Sequence, residues 1–136
     1  MNDNWKVVKF TIATDGAGAY TSTSLDGLVG SGGPYLLHAV EWVDGNQDNG
    51  VDFTLSITDT PSGVDRSVLV VANADNDAWY QPRIYGNNPA DGATWANGAD
   101  VTASYAELVV TGRLKLAVTN GGATKAGACF VYLKKS

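Results

Sequence analysis

Apolar and polar residues alternate along most of this chain with the two-residue period of a β-strand, and apolar positions nowhere keep helical spacing for two turns. The cleanest run is Val51 to Thr58, with Val51, Phe53, Leu55 and Ile57 on one face and Asp52, Thr54, Ser56 and Thr58 on the other. Trp5 to Thr14 sets Val8, Phe10 and Ile12 against Val7, Lys9 and Thr11, and Leu114, Leu116 and Val118 oppose Arg113, Lys115 and Thr119. Two other runs are apolar at nearly every position. Arg66 to Asn73 reads as a fully buried strand, and Ala128 to Leu133 as a strand packed on both sides.

Turn residues divide these runs. Asp15-Gly16 precedes a polar strand, Gly18 to Leu25, whose Thr and Ser content suits a sheet edge. Gly27 to Pro34 reads as a loop. The Asp44 to Gly50 cluster ends in Asn49-Gly50, which tolerates positive φ, so Tyr35 to Val43 and Val51 to Thr58 are expected to form a hairpin. The turn-rich stretch from Asn120 to Gly127 predicts a second hairpin between the last two strands. Tyr105 to Thr111 adds a strand, whereas Asp75 to Asp100 holds Pro82, Pro89 and several Gly steps and reads as a long irregular segment. A connection of that length is uncommon in a compact domain and is often functional. With about seven to eight strands and no helix, the expected fold is all-β: one domain over residues 1–136, an antiparallel β-sandwich or jelly-roll-like fold.

Composition narrows the functional classes. At 136 residues the chain is long enough for one core without staples, and its single cysteine, Cys129, cannot make an internal bridge and sits in an apolar strand as a small hydrophobe. The residues MNDNWKVVKF do not form a signal peptide, and no run nears the ~20 apolar residues needed to span a bilayer, so a soluble protein made in the cytoplasm, away from membranes, is expected. Nine basic against 14 acidic residues, without a basic cluster beyond Lys134 and Lys135, argue against a nucleic-acid partner. Charged residues make up only 17% of the chain, which leaves a neutral surface compatible with permanent association between subunits.

The residues point away from catalysis and from a bound cofactor. His38 is the only histidine, no GxSxG elbow exists, and one His and one Cys far apart do not make a zinc site. Asp44 to Gly50 spaces oxygen ligands at alternate positions as a calcium loop does, but the glycine comes one place late and Leu55 stands where a bidentate Glu belongs. A polar turn explains the same letters, so no metal is expected. Asp75 and Asp77 could pair for glycoside hydrolysis, yet acids in turns usually serve solvation. Trp42, Trp79, Tyr80, Tyr85 and Trp95 could form a sugar-stacking platform, but a Trp leading into Tyr-Gln-Pro more often folds inward as a plug. Arg83, beside Pro82 and two aromatics, suits either a buried or interfacial ion pair or plain solvent exposure.

One longer pattern is more specific. Trp79-Tyr80 leads into Pro82-Arg83; Val110, Gly112-Arg113-Leu114-Lys115 and Val118 follow, then Gly121-Gly122, Lys125 and Gly127, then Val131-Tyr132-Leu133. The second half of the chain thereby resembles small proteins encoded with the virion-structural genes of tailed bacteriophages, among them compact β-fold decoration or cement proteins that sit as trimers on the capsid. The resemblance implies a non-enzymatic virion protein on the capsid surface, a homotrimer whose partner is the major capsid protein and which stabilises the assembled head. The alternative is a tail- or fibre-associated carbohydrate-binding adhesin module. In either case Trp79, Tyr80, Arg83, Tyr85 and Trp95 are the expected interaction surface.

Overall fold

The computed structural model describes residues 4–24, 35–85 and 105–135. In chain order the strands are β1 Trp5–Ala13, β2 Tyr20–Thr23, β3 Tyr35–Val43, β4 Asp52–Ile57, β5 Arg66–Val71, β6 Ala78–Tyr80, β7 Ile84–Tyr85, β8 Tyr105–Ala106, β9 Leu108–Val110, β10 Leu114–Thr119 and β11 Ala126–Lys135. They form an all-β sandwich of two antiparallel sheets. The first has the order β1-β11-β3, with β6 and β9 sharing the far edge of β3; the second has the order β2-β10-β4-β5. β7 and β8 make a small pair of their own.

The two-residue period explains the core. Phe10 and Ile12 of β1, Cys129, Val131 and Leu133 of β11, and Leu37, Val40 and Trp42 of β3 face Phe53, Leu55 and Ile57 of β4 and Leu114, Leu116 and Val118 of β10, all essentially inaccessible to solvent. Each such side chain contributes about 1.5–3 kcal/mol by leaving water. Trp42 stacks on Phe53 across the two sheets, with ring centroids 4.2 Å apart, and its indole N–H donates to the Ala74 carbonyl at 3.0 Å. Burial pushes the Cys129 thiol up to about 12. A thiolate-specific disulfide reagent is therefore expected to label Cys129 at the rate of unfolding; immediate labelling of the native protein would contradict this packing.

Both expected hairpins are absent as paired units. β10 lies between β2 and β4 in one sheet and β11 between β1 and β3 in the other, and β3 and β4 are likewise divided. Each connection is an arch that crosses the ~10 Å between facing sheets. Alternation requires two dry faces to meet, and facing across a core satisfies that as well as pairing side by side. β5 also departs from expectation: it is the outer strand of its sheet, and its Val70 is 68% exposed. The polar β2 does lie at an edge. Asp75 to Asp100 is not wholly irregular, since it contains β6 and β7; the expected loop at Gly27 to Pro34 lies outside the described residues.

At one end of the sandwich three connections interlock. The Thr14 hydroxyl donates to the Gly122 carbonyl at 2.6 Å and accepts the Lys125 N–H at 2.7 Å, Gly121 N–H reaches the Gly18 carbonyl, and Asp48 N–H reaches the Gly121 carbonyl. Gly45, at φ 64°, lies so close to Ala126 that a Cβ would strike its carbonyl oxygen.

Away from that end, ion pairs hold the margin of the second sheet. Arg113 grips both carboxylate oxygens of Asp59 at 2.5 and 2.9 Å, and Lys115 reaches Asp65 at 3.0 Å. These hydrogen bonds hold the carboxyls of Asp59 and Asp65 below their usual range, as the Asn73 N–H does for Asp52. Depressed folded values mean that the stabilisation is complete above the unfolded value, about 3.9, and is lost as pH falls through the folded values. The melting temperature is expected to fall as pH drops below about 4, and Asp59→Asn should make that fall shallower. An unchanged acid limb in the variant would show that the pair is inert.

Candidate interaction surface

The outer faces of the two sheets differ in kind. On the second sheet the outward positions include Thr21 and Thr23 of β2, Lys115, Ala117 and Thr119 of β10, Asp52 and Thr54 of β4, and the exposed Val70 of β5, so hydroxyls and small side chains outnumber large apolar ones and no ring is among them. On the first sheet the outward positions carry rings and aliphatics. They include Trp5, Val7 and Lys9 on β1, Phe130 and Tyr132 on β11, Leu36 and Glu41 on β3, Trp79 on β6 and Val109 on β9, with Thr11, Ala128 and Lys134 on the same face. A solvent-facing sheet surface is ordinarily the polar side of the alternation. Here Trp79 is 52% and Val109 44% exposed, and the Trp5, Phe130 and Tyr132 rings are partly exposed.

Register brings these side chains together. Trp79 pairs with Glu41, which pairs with Phe130 on the next strand, and Phe130 pairs with Lys9. The Trp79 and Tyr132 rings lie 5.0 Å apart, tilted by 42°. The Tyr132 hydroxyl donates to Glu41 Oε1 at 3.0 Å, and burial, reinforced by this bond, raises its pKa. Lys9 sits over the Phe130 ring at 5.4 Å. Toward the other end of β3, a bulge between Leu37 and Ala39 makes His38 the extra residue, and its ring meets Trp5 edge-on at 5.0 Å. Lys134 closes on Glu107 at 3.1 Å, while His38 Nδ1 and Glu107 Oε2 have no hydrogen-bond partner among the described residues.

The expected surface residues separate by parity. Trp79 points outward, so it is no inward plug; Tyr80, one residue on, turns to the core side and meets Phe53 edge-on at 6.1 Å. Trp42 is also core. Arg83 makes no ion pair among the described residues: its guanidinium donates to the carbonyls of His38 at 3.1 Å and Pro82 at 2.8 Å. Tyr85 lies on β7, opposite Tyr105, and Trp95 falls outside the described residues. Trp5, Phe130 and Tyr132 escaped the sequence reading, although the outward parity of Trp5 beside Val7 was a signal for them. Ala128 to Leu133 is not packed equally on both sides, since Phe130 and Tyr132 keep partial exposure while Cys129, Val131 and Leu133 are buried.

The polar loop from Asp44 to Gly50 and the acids beside it are occupied with backbone. Asn46 Oδ1 accepts the Ala126 N–H at 2.7 Å, Asp77 accepts that of Asp44 at 2.9 Å, and Asp75 accepts that of Gly50 at 2.6 Å. Burial, then the charges of Asp75 and Asp77, raise the Asp44 carboxyl. Among the described residues no three His, Cys, Asp or Glu side chains gather as a metal site, and no helix is long and apolar enough to cross a membrane. No protein-family model, curated protein or solved structure matches the chain. What the surface offers is apolar and ring area with a few fixed charges, which suits binding by contact and stacking.

Proposed function

We propose that this chain is a structural protein of a tailed-bacteriophage virion, a decoration or cement protein that seats the outer face of its first sheet on the assembled head. The observation that carries the reading is the ring-rich outer face of that sheet, with Trp79 exposed beside Tyr132, where a free-standing sandwich would present polar residues. The sequence likeness of Trp79 to Arg83 and Val110 to Leu133 to phage virion proteins supplies the partner, the major capsid protein. The role is binding rather than catalysis, it needs no cofactor, and its place is the capsid surface after synthesis in the host cytoplasm. A homotrimer fits best, because linked copies on a repeating lattice turn a modest contact into a firm one.

The test is sedimentation with tailed-phage heads stripped of their decoration protein, together with light scattering of the free chain. Expected are a trimer, saturable head binding, and an affinity lowered by about thirtyfold in Trp79→Ala, the size of a central ring contact. A strict monomer that never binds heads overturns the proposal. One observation favours a second reading, a tail- or fibre-associated adhesin: the exposed Trp79 ring beside Tyr132 is also a platform for a sugar face. Glycan-array binding that Trp79→Ala abolishes, without head binding, would select it.

A further inference from the structure

The sandwich carries a second surface, built from backbone. β1 is the outermost strand of the first sheet and β2 of the second, and both border a cleft of about 440 Å³ along which β1 runs from Lys6 to Thr11. All nine residues of β1 pair with β11 on one side, without a register shift; on the other side β1 pairs with no strand among the described residues. Such an edge presents a row of N–H and C=O groups that can accept another strand. The other margins are less receptive. β5 is bulged at Val68, and the far side of β3 is divided between the short β6 and β9.

The side chains on this edge select the visitor. Val8 and Phe10 of β1 and Tyr20 of β2 give the cleft an apolar floor, and Ser22 and Thr23 give its far wall hydroxyls. Lys6 and Lys9 lie on the edge strand itself, each beside a ring, and neither pairs with a carboxylate among the described residues. Lysines on an edge oppose self-pairing: two β1 strands in their fully overlapping antiparallel register would set Lys9 against Lys9.

We infer that the free edge of β1 binds an extended segment of another protein, with apolar residues on one face and acids on the other, which adds a strand to the first sheet and fills the cleft. The apolar residues cover Val8, Phe10 and Tyr20, and an acid lies opposite Lys9. This site does not rest on the virion reading and uses a different element from Trp79, so each can fail alone.

The probe is the capped nonapeptide Ac-TVEVTVEVT-amide, with its Lys counterpart Ac-TVKVTVKVT-amide and a version of the first with proline at its centre as controls. Calorimetry is expected to show one acidic peptide per chain. At a peptide concentration about ten times the dissociation constant, amide exchange should slow about tenfold along β1 and stay unchanged along β5. The Lys peptide should bind about tenfold more weakly, and Lys9→Glu should reverse the preference. The proline peptide, lacking a ladder donor, should not bind. Equal binding of both charged peptides, protection away from β1, no binding, or self-association through β1 in the absence of peptide would each overturn the inference.

Discussion

Trp42→Ala is expected to cost about 5 kcal/mol, enough to bring a domain of ordinary stability close to unfolding. Trp42 is the largest of the fully buried side chains among the described residues, and it binds the sandwich in two directions. Its ring lies 12° from parallel with Phe53, which joins the first sheet to the second, and its N–H holds the Ala74 carbonyl. Truncation leaves a cavity between the sheets and a buried carbonyl without a donor. Ala74 precedes β6, so the same change loosens the strand that presents Trp79. Trp42→Phe separates the two contributions, since it keeps a ring against Phe53 and removes the donor; about 1–3 kcal/mol is expected for that step. Urea denaturation of both variants checks the assignment, and a loss below about 2 kcal/mol for Trp42→Ala would contradict it.

The second large effect is expected at Gly45. Two glycines with similar backbone angles make a controlled comparison, because Gly45 has φ 64° and Gly63 φ 76°, both in the left-handed region that side chains disfavour. A Cβ at Gly63 meets open space, whereas one at Gly45 strikes the Ala126 carbonyl at the interlocked end. Gly63→Ala should cost about 1 kcal/mol, the conformational part alone. Gly45→Ala adds a collision between backbone segments that must move apart together, for a total of about 3–4 kcal/mol. Thermal melts of the two variants should differ by roughly 10 °C. Equal melts would mean that the arches can part without cost.

Much of this fold was legible because alternation is a local property. Val51 to Thr58 and Trp5 to Thr14 could be assigned to strands, and inward faces chosen, from neighbouring letters alone. Pairing was not legible, for the same reason: Leu114-Leu116-Val118 reads identically whether its dry face continues into β11 or looks across the core at it. Only the connection between them distinguishes the cases, and the Asn120 to Lys125 turn, with Asn120, Gly122 and Thr124 at positive φ, is an arch whose geometry no two-residue turn rule anticipates. The surface was legible in part. Trp79 was picked out by its setting, but its neighbour Tyr80 could be placed inward only once the strand and its parity were known. Phe130 and Tyr132 were hidden by an apolar run that suited a doubly buried strand, while Trp5 meets its ring partner His38 only through the sheet, far from it in sequence.

The position of β11 in the first sheet has a consequence for how the chain is made. β11 lies between β1 and β3, yet every other strand precedes it in sequence. During synthesis the inner face of β1 and the aromatic inner face of β3 therefore exist before the strand that joins them, and the second sheet can be complete while β3 has only β6 and β9 beside it and β1 has no partner in its sheet. Most pairings among the described residues join strands distant in sequence, as β1 with β11, with the neighbouring β4 and β5 an exception, which is a topology that folds slowly and exposes strand edges meanwhile. Lysines at positions 6 and 9 stand on the strand that waits longest, where they keep nascent chains from pairing with one another before β11 arrives.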